Sequence, residues 1–250
     1  MNDILLVNEV YGPAHQGEGH TLNKRVIFIR LATCNLACEF CDAAHTWNWK
    51  NTKYVNTKKF DPKVEILRMS CSDILKRVIE LDGSEYPARS CNAVVISGGE
   101  PLLQQRKLIP LLQMLKQLNF WIEIETNGTI APSDEFLQYI DQINCSPKLS
   151  TSGPDNPESR RIVPEALQKI RDFKDGYFKF VVCNDSDLLE IWGIVDQFKV
   201  AQDHVYLMPE GETLEKQVAN AARVETIADM NGFEYSPRLH IYTHGNKRGV

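Results

Sequence analysis

The chain has 250 residues and a formal net charge of −5, and 43% of its residues are hydrophobic while 24% are charged. This composition excludes disordered and fibrous proteins, and the length provides ample core for one large domain or two small ones. The mild acidity argues against a general nucleic-acid binder, which needs a basic face to neutralise phosphates.

The chain carries no segment that predicts a membrane or an export pathway. Apolar runs such as 26–29 are far too short to span a bilayer. The amino terminus has Asp3 where a secretory signal has basic residues. We therefore expect a cytoplasmic protein with no membrane partner.

Short β-branched runs alternate with helical stretches along the chain. The runs predict strands at 26–32, 93–97, 120–125, 142–146, 177–183 and 204–208. The helical stretches lie near 72–82, 102–118, 132–140, 164–173, 186–198 and 212–230, and a last extended run covers 238–243. Six βα alternations imply an α/β fold in which a parallel sheet with helical crossovers curls into a barrel or partial barrel. No linker separates two cores, so residues 1–250 are expected to form a single domain.

Local signals mark several helix ends. Ser72 and Ser186 are predicted to be N-caps. Pro164 is typical of a first helical turn, and Gly83 is typical of a helix C-terminus.

The lysine-rich segment 47–70 has no clear periodicity. Its composition predicts a solvated insertion or excursion between the first strand and the first helix. A lid or interface role for Trp47 and Trp49 is the minority interpretation.

The seven cysteines do not suggest a disulfide framework, because their number is odd and no export signal is present. Cys34, Cys38 and Cys41 lie within eight residues in the spacing CxxxCxxC. Thiolates packed this closely repel each other unless a cation lies between them, so the three residues predict a metal site. The other four cysteines lie among apolar residues and are interpreted as small buried hydrophobes.

Chemically capable residues follow the predicted strands. The three cysteines follow the first strand, 97–101 (Ser-Gly-Gly-Glu-Pro) the second and 125–128 (Glu-Thr-Asn-Gly) the third. Residues 146–148 (Ser-Pro-Lys) follow the fourth strand and 208–210 the sixth. Active sites of parallel βα folds form at the carboxyl ends of the strands, so these segments are expected to meet at one rim.

Three cysteines leave one position of a four-iron cluster without a protein ligand. A closed structural zinc site and an electron-transfer cluster both normally have four protein ligands. The incomplete set therefore suggests an iron held open for a substrate or cofactor. Zinc bound by the three cysteines and His45 is the competing interpretation, but it gives no use to the glycine-rich segment at 98–99.

CxxxCxxC after a first strand, with Gly-Gly-Glu-Pro at 98–101 after the second, resembles the signature of radical S-adenosylmethionine (SAM) enzymes. The resemblance implies an α/β fold of the radical SAM type, a partial (βα)6 barrel. It also implies a 4Fe–4S cluster on the three cysteines, with SAM on the fourth iron. In that superfamily one electron cleaves SAM to a 5′-deoxyadenosyl radical, which takes hydrogen from the substrate, while the protein positions both cofactors.

Further segments resemble one family within that superfamily, 7-carboxy-7-deazaguanine synthase. They are Gln16-Gly17-Glu18-Gly19, Phe28-Ile29-Arg30, Cys41-Asp42 followed by His45-Thr46-Trp47, and Ser146-Pro147-Lys148. The resemblance implies a carbon–nitrogen lyase that converts 6-carboxy-5,6,7,8-tetrahydropterin to 7-carboxy-7-deazaguanine, with ring contraction and loss of ammonia. This reaction belongs to the biosynthesis of queuosine and other 7-deazapurines, and it regenerates SAM.

The resemblance also implies site residues, position by position, and assigns no catalytic side chain because the radical chemistry takes place on SAM and the cluster. The residues implied to bind substrate are His15, Gln16, Gly17, Arg30, Ser97 and the terminal Val250. The residues implied to bind SAM are Cys41, Asp42, Gly99, Ser146, Pro147 and Lys148.

The chemistry of the side chains adds three candidate SAM-binding residues and an alternative role for Arg30. Glu125 and Asn127 are placed to bond the ribose hydroxyls or the amino group of SAM, and Phe40 is placed to cover its adenine. The guanidinium of Arg30 suits a carboxylate or the polar edge of a pterin. A buried structural ion pair is the alternative interpretation of Arg30.

One position departs from the family pattern. The family commonly has Thr or Ser directly after the Cys-Asp pair, where the hydroxyl is a Mg²⁺ ligand, but this chain has Ala43. Magnesium prefers hard oxygen ligands, so substrate and water with Asp42 or Thr46 are the remaining candidates. We expect weaker magnesium dependence than is usual in the family.

The resemblance further implies a homodimer and an electron donor such as flavodoxin or ferredoxin, beside the small-molecule pterin substrate. Two functions are alternatives to the synthase reaction. A glycyl-radical activating enzyme shares the three-cysteine loop but acts on a protein partner, and the segment at 16–19 disfavours it. A non-enzymatic zinc or iron–sulfur module is the second alternative.

Overall fold

Nine strands form one sheet in the described part of the chain, which comprises residues 4–50, 52–53, 58–83 and 91–249 of a computed structural model. The strands are β1 (Ile4–His15), β2 (Arg25–Leu31), β3 (Leu67–Ser70), β4 (Ala93–Gly98), β5 (Trp121–Thr126), β6 (Gln142–Cys145), β7 (Gly176–Val182), β8 (Val205–Pro209) and β9 (Glu234–Tyr235). The α-helices are α1 (Pro62–Glu65), α2 (Cys71–Asp82), α3 (Gln105–Gln117), α4 (Asp134–Leu137), α5 (Glu158–Arg161), α6 (Pro164–Arg171), α7 (Asp187–Phe198), α8 (Leu214–Asn231) and α9 (Leu239–His244).

The sheet has the strand order β3-β1-β2-β4-β5-β6-β7-β8-β9. Neighbouring strands from β2 to β9 are parallel, whereas β1 is antiparallel to both β2 and β3. The edge strands β3 and β9 do not pair with each other, so the sheet stays open. This confirms the expected partial barrel, and all six predicted strands agree with β2 and β4 to β8 within one residue at each end.

Side chains alternate across the sheet because successive residues of a strand point to opposite faces. On β2 and β4 one set packs into the main core between sheet and helices: Ile27, Ile29, Val94 and Ile96. The other set forms a smaller apolar cluster on the inner face: Val26, Phe28, Ala93 and Val95. The next inward-facing positions are Arg30 on β2 and Ser97 on β4, so the inner face becomes polar at the carboxyl ends of the strands.

Two of the predicted helix ends are confirmed. Gly83 ends α2 with φ +67°, and Pro164 is the first residue of α6. Ser186 precedes α7, but its hydroxyl makes no capping bond and donates instead to Asn184 Oδ1. In the described residues no helix combines the length and apolar composition needed to cross a membrane.

The N-cap of α2 was predicted two residues too late. The cap is Ser70 and not Ser72, because Ser70 and Asp73 form a reciprocal capping box. A serine two residues farther on is already inside the helix, where its hydroxyl is not needed by the first free N–H groups.

One segment predicted to be extended is a helix, and one predicted helix is shorter than expected. The run 238–243 was expected to be extended, but α9 covers Leu239–His244 and buries Ile241. A short apolar run does not distinguish a strand from one turn of helix, and packing against the rest of the chain decides. The helix expected at 132–140 is only the single turn α4.

Segment 47–70 is not simply a solvated excursion. Trp47 is 6% exposed, and β3 pairs with β1 to extend the sheet at its edge. Trp49 forms an isolated bridge with Phe60. Residues 51 and 54–57 of this segment lie outside the described residues.

Candidate active site

A cavity lies at the carboxyl ends of the parallel strands, where the cysteine loop, β1 and the C-terminal segment meet. Most of the candidate residues line it: His15, Gln16, Gly17, Arg30, Cys34, Cys38, Phe40, Cys41, Asp42, Ala43, Ser97, Gly99, Glu125, Asn127, Ser146 and Lys148. Pro147 is not part of this lining, and Val250 lies outside the described residues. The fold therefore brings segments from five strand ends to one rim, as their order along the chain predicted.

Each of the three loop cysteine sulfurs accepts a hydrogen bond from a side-chain N–H group, and Asn127 Nδ2 donates to Cys34 Sγ at 3.8 Å. Trp47 Nε1 donates to Cys41 Sγ at 3.2 Å, and Asn156 Nδ2 donates to Cys38 Sγ at 3.5 Å. Such N–H donors stabilise the thiolate form of a ligand and tune a bound cluster. Trp47 therefore supports the cysteine loop through this bond and does not act as a lid. The sequence did not predict a role for Asn156.

Burial keeps the three cysteines protonated when no cation is bound. It raises the pKa of Cys34 to about 12 and also raises the pKa of Cys38 and Cys41 above the ordinary thiol value. Metal binding must therefore displace protons from all three sulfurs.

The cysteine arrangement does not match a closed zinc site. With Zn–S bonds of ~2.3 Å, ligands of one tetrahedral zinc lie about 4 Å apart. Yet among the residues described, no three drawn from the loop cysteines and His45 bring their ligating atoms within 4.8 Å of one another. A cuboidal cluster binds each thiolate to a different iron, so it does not require that proximity.

Gly98 and Gly99 pack directly against the start of the cysteine loop. A Cβ on Gly98, whose φ is +136°, would lie 2.1 Å from Leu31 O, and one on Gly99 would lie 2.0 Å from Thr33 O. The two glycines therefore permit close approach of the backbone that leads into the cysteines.

Glu100 connects the end of β4 to the end of β5 through hydrogen bonds. Its buried carboxylate accepts hydrogen bonds from Leu102 N at 2.9 Å, Thr126 Oγ1 at 2.8 Å and Asn127 N at 2.7 Å. Burial raises its pKa above the ordinary value, although these donors oppose the shift. The carboxylate is committed to the protein, so its role is to hold the rim together.

Asn127 connects that rim to the cysteine loop. Its Nδ2 donates to Asn35 Oδ1 at 3.0 Å and lies 3.8 Å from Cys34 Sγ, while its Oδ1 accepts from Thr129 N at 3.0 Å. Both ends of the amide are used within the chain. Asn127 therefore positions the loop, whatever else it contacts.

The donor set fits an open iron–sulfur cluster. All three cysteines line the cavity, and each of their sulfurs accepts a side-chain N–H bond. Lys148, whose Nζ donates to Ser146 Oγ at 2.8 Å, adds positive charge that lowers the pKa of Cys34 and Cys38 against the effect of burial. Thiolate ligands near a cation and N–H donors are what such a cluster needs.

Arg30 is both ion-paired and exposed to the cavity. Its Nε donates to Glu9 Oε1 at 2.8 Å and its Nη2 donates to Tyr11 OH at 3.0 Å. Nη1 has no hydrogen-bond partner among the described residues. The structural ion pair that was the alternative for Arg30 is therefore present, and it leaves one end of the guanidinium for a ligand.

Two buried polar atoms of the cavity wall lack partners in the part of the chain that is described. They are Ser97 Oγ and His45 Nε2, on side chains of residues that are 3% and 6% exposed. Buried polar atoms are almost always hydrogen-bonded in native proteins. These two atoms are therefore available to a ligand in the cavity.

Gln16 is buried and holds two acidic side chains of β5. Its Nε2 donates to Glu123 Oε1 and to Glu125 Oε1, at 3.0 Å each. Burial, with Glu125 nearby, raises the pKa of Glu123 to about 7. The next residue, Gly17, leaves room for His240, because a Cβ at this position would lie 2.4 Å from His240 Nδ1.

Sequence reasoning missed three charged or titratable residues of the cavity: Lys179, Arg238 and His240. Lys179 and Arg238 both pair with the buried carboxylate of Glu18. The only available signal was the alternation on β7, which places Lys179 on the inner face. Arg238 and His240 belong to the segment whose structure was predicted wrongly.

The C-terminal segment also borders the cavity. Residues 246–249 line it, and Arg248 Nη2 donates to Glu65 Oε2 at 2.8 Å and to Asn8 Oδ1 at 3.2 Å. The segment is therefore attached to the edge of the sheet rather than frayed. Val250, which the family resemblance implied to bind substrate, lies outside the described residues, so that contact stays a prediction.

Comparisons with known proteins agree with this geometry. The Radical SAM superfamily model matches residues 28–156. A 7-carboxy-7-deazaguanine synthase from Pyrobaculum aerophilum is 32% identical over 236 residues, which cover 94% of this chain and 92% of the relative. Another from Halobacterium salinarum is 33% identical over 259 residues, which cover 95% of this chain and 89% of the relative.

Solved structures show the same fold. The crystal structure of QueE from Escherichia coli is similar with a TM-score of 0.67 and 22% identity, covering 95% of each chain. At that identity the likeness supports the architecture, whereas the sequence relatives establish the family.

Proposed function

This chain belongs to the 7-carboxy-7-deazaguanine synthase family of radical SAM enzymes, and on that premise we propose that it converts 6-carboxy-5,6,7,8-tetrahydropterin to 7-carboxy-7-deazaguanine with release of ammonia. Membership implies a 4Fe–4S cluster and SAM as cofactors. The product class links the reaction to queuosine and 7-deazapurine biosynthesis. The alternatives are not favoured, because the synthase relatives match nearly the full length of the chain.

One side of the cavity holds the cofactors in this proposal. Cys34, Cys38 and Cys41 ligate the cluster, which when bound supplies the one-electron chemistry that generates the hydrogen-abstracting species from SAM. Trp47 and Asn156 orient two of the ligands through N–H···S bonds.

The SAM-binding residues lie along the rim beside those cysteines. The proposed contacts are Phe40, Asp42, Gly99, Glu125, Ser146 and Lys148. Pro147 contributes to the turn rather than to a contact, since it does not line the cavity. Asn127 acts through the cysteine loop, because its amide is already bonded at both ends.

The other side of the cavity binds the pterin. Arg30 offers its free Nη1 to the substrate carboxylate, and a guanidinium matches a carboxylate in geometry and charge. Ser97 Oγ and His45 Nε2 offer the unpartnered atoms that polar edges of a pterin require. His15, Gln16 and Gly17 form the adjoining wall.

A single observation carries the proposal: the cysteine loop and the Arg30–Ser97 wall face one cavity. A radical generated from SAM beside the cysteines would form in the same cavity as a wall suited to bind a carboxylate. A separate cluster module would not need that wall, and an activating enzyme would need a surface for a protein substrate instead.

We also propose the partners that the family implies. Reduction requires a one-electron donor of the flavodoxin or ferredoxin class, and the enzyme works as a homodimer in the cytoplasm. Magnesium is not part of the proposal. Ala43 has no ligand oxygen, and Asp42 is already paired with Arg238.

The test is anaerobic turnover. Reconstituted protein is incubated with SAM, reductant and the carboxytetrahydropterin, and the product is identified by mass spectrometry as the deazapurine. The Cys38→Ala variant is the matched control and should form no product. Four irons per chain with SAM cleavage but no deazapurine would contradict the proposed substrate, and one zinc with no iron would contradict the enzyme class.

A further inference from the structure

Glu18, Asp42 and His240 form a group that could hold a metal ion. Their ligating atoms lie within 4.8 Å of one another, and they are the one such group of His, Cys, Asp and Glu residues in the described chain. All three line the cavity. Two carboxylates and an imidazole are ligands that Mg²⁺ or Mn²⁺ accepts.

A cation of the protein already bridges these carboxylates. Arg238 Nε donates to Glu18 Oε1 at 3.0 Å, and Arg238 Nη2 donates to Asp42 Oδ2. Arg238 Nη1 donates to Gly211 O at 2.7 Å, which fixes the guanidinium from a third side. The side chains of Arg238 and Glu18 are 6% and 16% exposed, so this half of the bridge is mostly buried, whereas the Asp42 side chain is 44% exposed.

Lys179 is a second cation that compensates the negative charge of Glu18. Its Nζ pairs with the second oxygen of Glu18, so that carboxylate faces two cations. Burial alone would raise the pKa of Glu18, but Lys179 and Arg238 hold it well below the ordinary value. Asp42 pairs with the same guanidinium through Nη2 of Arg238. Both carboxylates are therefore already paired with cations of the protein.

We propose that Arg238 is the built-in cation of this site, occupying the position at which Glu18, Asp42 and His240 would otherwise bind a divalent metal ion. A magnesium ion would have to displace a buried guanidinium held by three hydrogen bonds, and Ala43 offers it no oxygen in return. Truncating one partner of such a buried pair leaves an uncompensated charge, which costs far more than the pair itself contributes.

The same guanidinium has donors left for a ligand. A guanidinium carries five N–H groups, and three bonds from Arg238 are made inside the chain. One N–H on each terminal nitrogen remains, beside a cavity that we propose binds a carboxylate. Arg238 thus supplies the positive charge that a bound metal would offer the substrate. This second step rests on the proposed function, whereas the exclusion of metal does not.

Manganese binding tests the exclusion without any pterin. The holoenzyme, with its cluster oxidised and diamagnetic, is titrated with Mn²⁺ while the spectrum of free aqueous Mn²⁺ is followed by electron paramagnetic resonance. The wild type should leave that signal intact. Arg238→Gln should reduce it by binding Mn²⁺, and Arg238→Gln/Asp42→Asn should restore it. Arg223→Gln is the matched control, because Arg223 pairs with Asp185 outside the cavity.

Each outcome decides the proposal. Mn²⁺ binding to the wild type that Asp42→Asn abolishes would overturn it, as would a folded Arg238→Gln protein, with unchanged melting temperature and iron content, that binds no Mn²⁺. If Arg238→Gln does not fold, the comparison of wild type with Asp42→Asn still decides, and Arg238→Lys should remain metal-free.

Substrate affinity tests the second step. The dissociation constant of the carboxytetrahydropterin for the wild type should be the same with EDTA as with Mg²⁺, and Arg238→Gln should weaken it in EDTA. A wild-type affinity that falls when Mg²⁺ is removed would overturn this step. A protein that binds no pterin under either condition would contradict the proposed function and leave the manganese result standing.

Discussion

Arg30 and Ser97 are register partners on the neighbouring parallel strands β2 and β4. Register partners project their side chains to the same face of the sheet. The hydroxyl that lacks a partner and the guanidinium with a free nitrogen therefore stand side by side at the carboxyl ends of their strands. Both strands continue directly into the loops that carry the cysteines and the glycines, so the substrate wall and the cofactor wall share the same two strands.

Replacing Arg30 by alanine should weaken binding of the carboxytetrahydropterin about ten- to a hundredfold, since a hydrogen bond to a charged group contributes ~1.5–3 kcal/mol. The affinity is measured by anaerobic calorimetry with SAM present. Reductive cleavage of SAM should be unaffected, because the cysteine loop does not depend on this guanidinium. Arg68→Ala, on the exposed edge strand β3, is the control, and an unchanged affinity for Arg30→Ala would show that the residue has only its structural ion pair.

Replacing Cys38 by alanine should abolish the cluster, because a thiolate ligand is lost. Iron and sulfide analysis after anaerobic reconstitution measures the effect, with the absorbance of the cluster as a second readout. Cys183→Ala should retain full iron, since Cys183 lies after β7 and does not line the cavity. Equal iron loss in the two variants would refute the ligand assignment.

Replacing Trp47 by phenylalanine should shift the reduction potential of the cluster to a more negative value. The change keeps the aromatic ring but removes the N–H that donates to Cys41 Sγ, and hydrogen bonds to cluster sulfurs favour the reduced state. Protein-film voltammetry measures the potential. Trp192→Phe removes a comparable N–H bond, to Asn231 Oδ1, far from the cysteines, and a shift of the same size there would exclude a local effect.

The titration of Glu123 should lower the free energy of unfolding as the pH rises from about 4.5 to about 7. Its pKa is raised from 4.5 to about 7 in the folded state, so in this interval the folded chain binds a proton that the unfolded chain has released. Each pKa unit corresponds to ~1.4 kcal/mol, so the loss in unfolding free energy amounts to about 3 kcal/mol.

Denaturation in urea at several pH values measures this loss. Glu123→Gln resembles the protonated side chain and should flatten the dependence between those pH values. Glu135→Gln, on the exposed side of α4, should leave the wild-type slope in place. A wild-type slope that persists in Glu123→Gln would mean that another group titrates in this range.

Six of the seven parallel strands, β2 and β4 to β8, followed from local chemistry alone. Their β-branched and aromatic residues alternate with helical stretches, and this pattern depends only on neighbours along the chain. The order of polar segments after the strands then predicted a common rim, because carboxyl ends of parallel strands lie on the same side. The spacing of Cys34, Cys38 and Cys41 predicted a metal site, and the resemblance to radical SAM enzymes implied the cluster.

What tertiary structure decided was how groups far apart in the chain combine. Arg238 lies 220 positions from Glu18 and 196 from Asp42, yet bonds both, and no local pattern in the sequence encodes such a bridge. The same holds for Asn156 beside Cys38, and for the helical form of the segment after Arg238. Contacts of this kind depend on which buried charges and donors remain unsatisfied once the strands and helices have packed, and that is a property of the packed molecule rather than of any stretch of its residues.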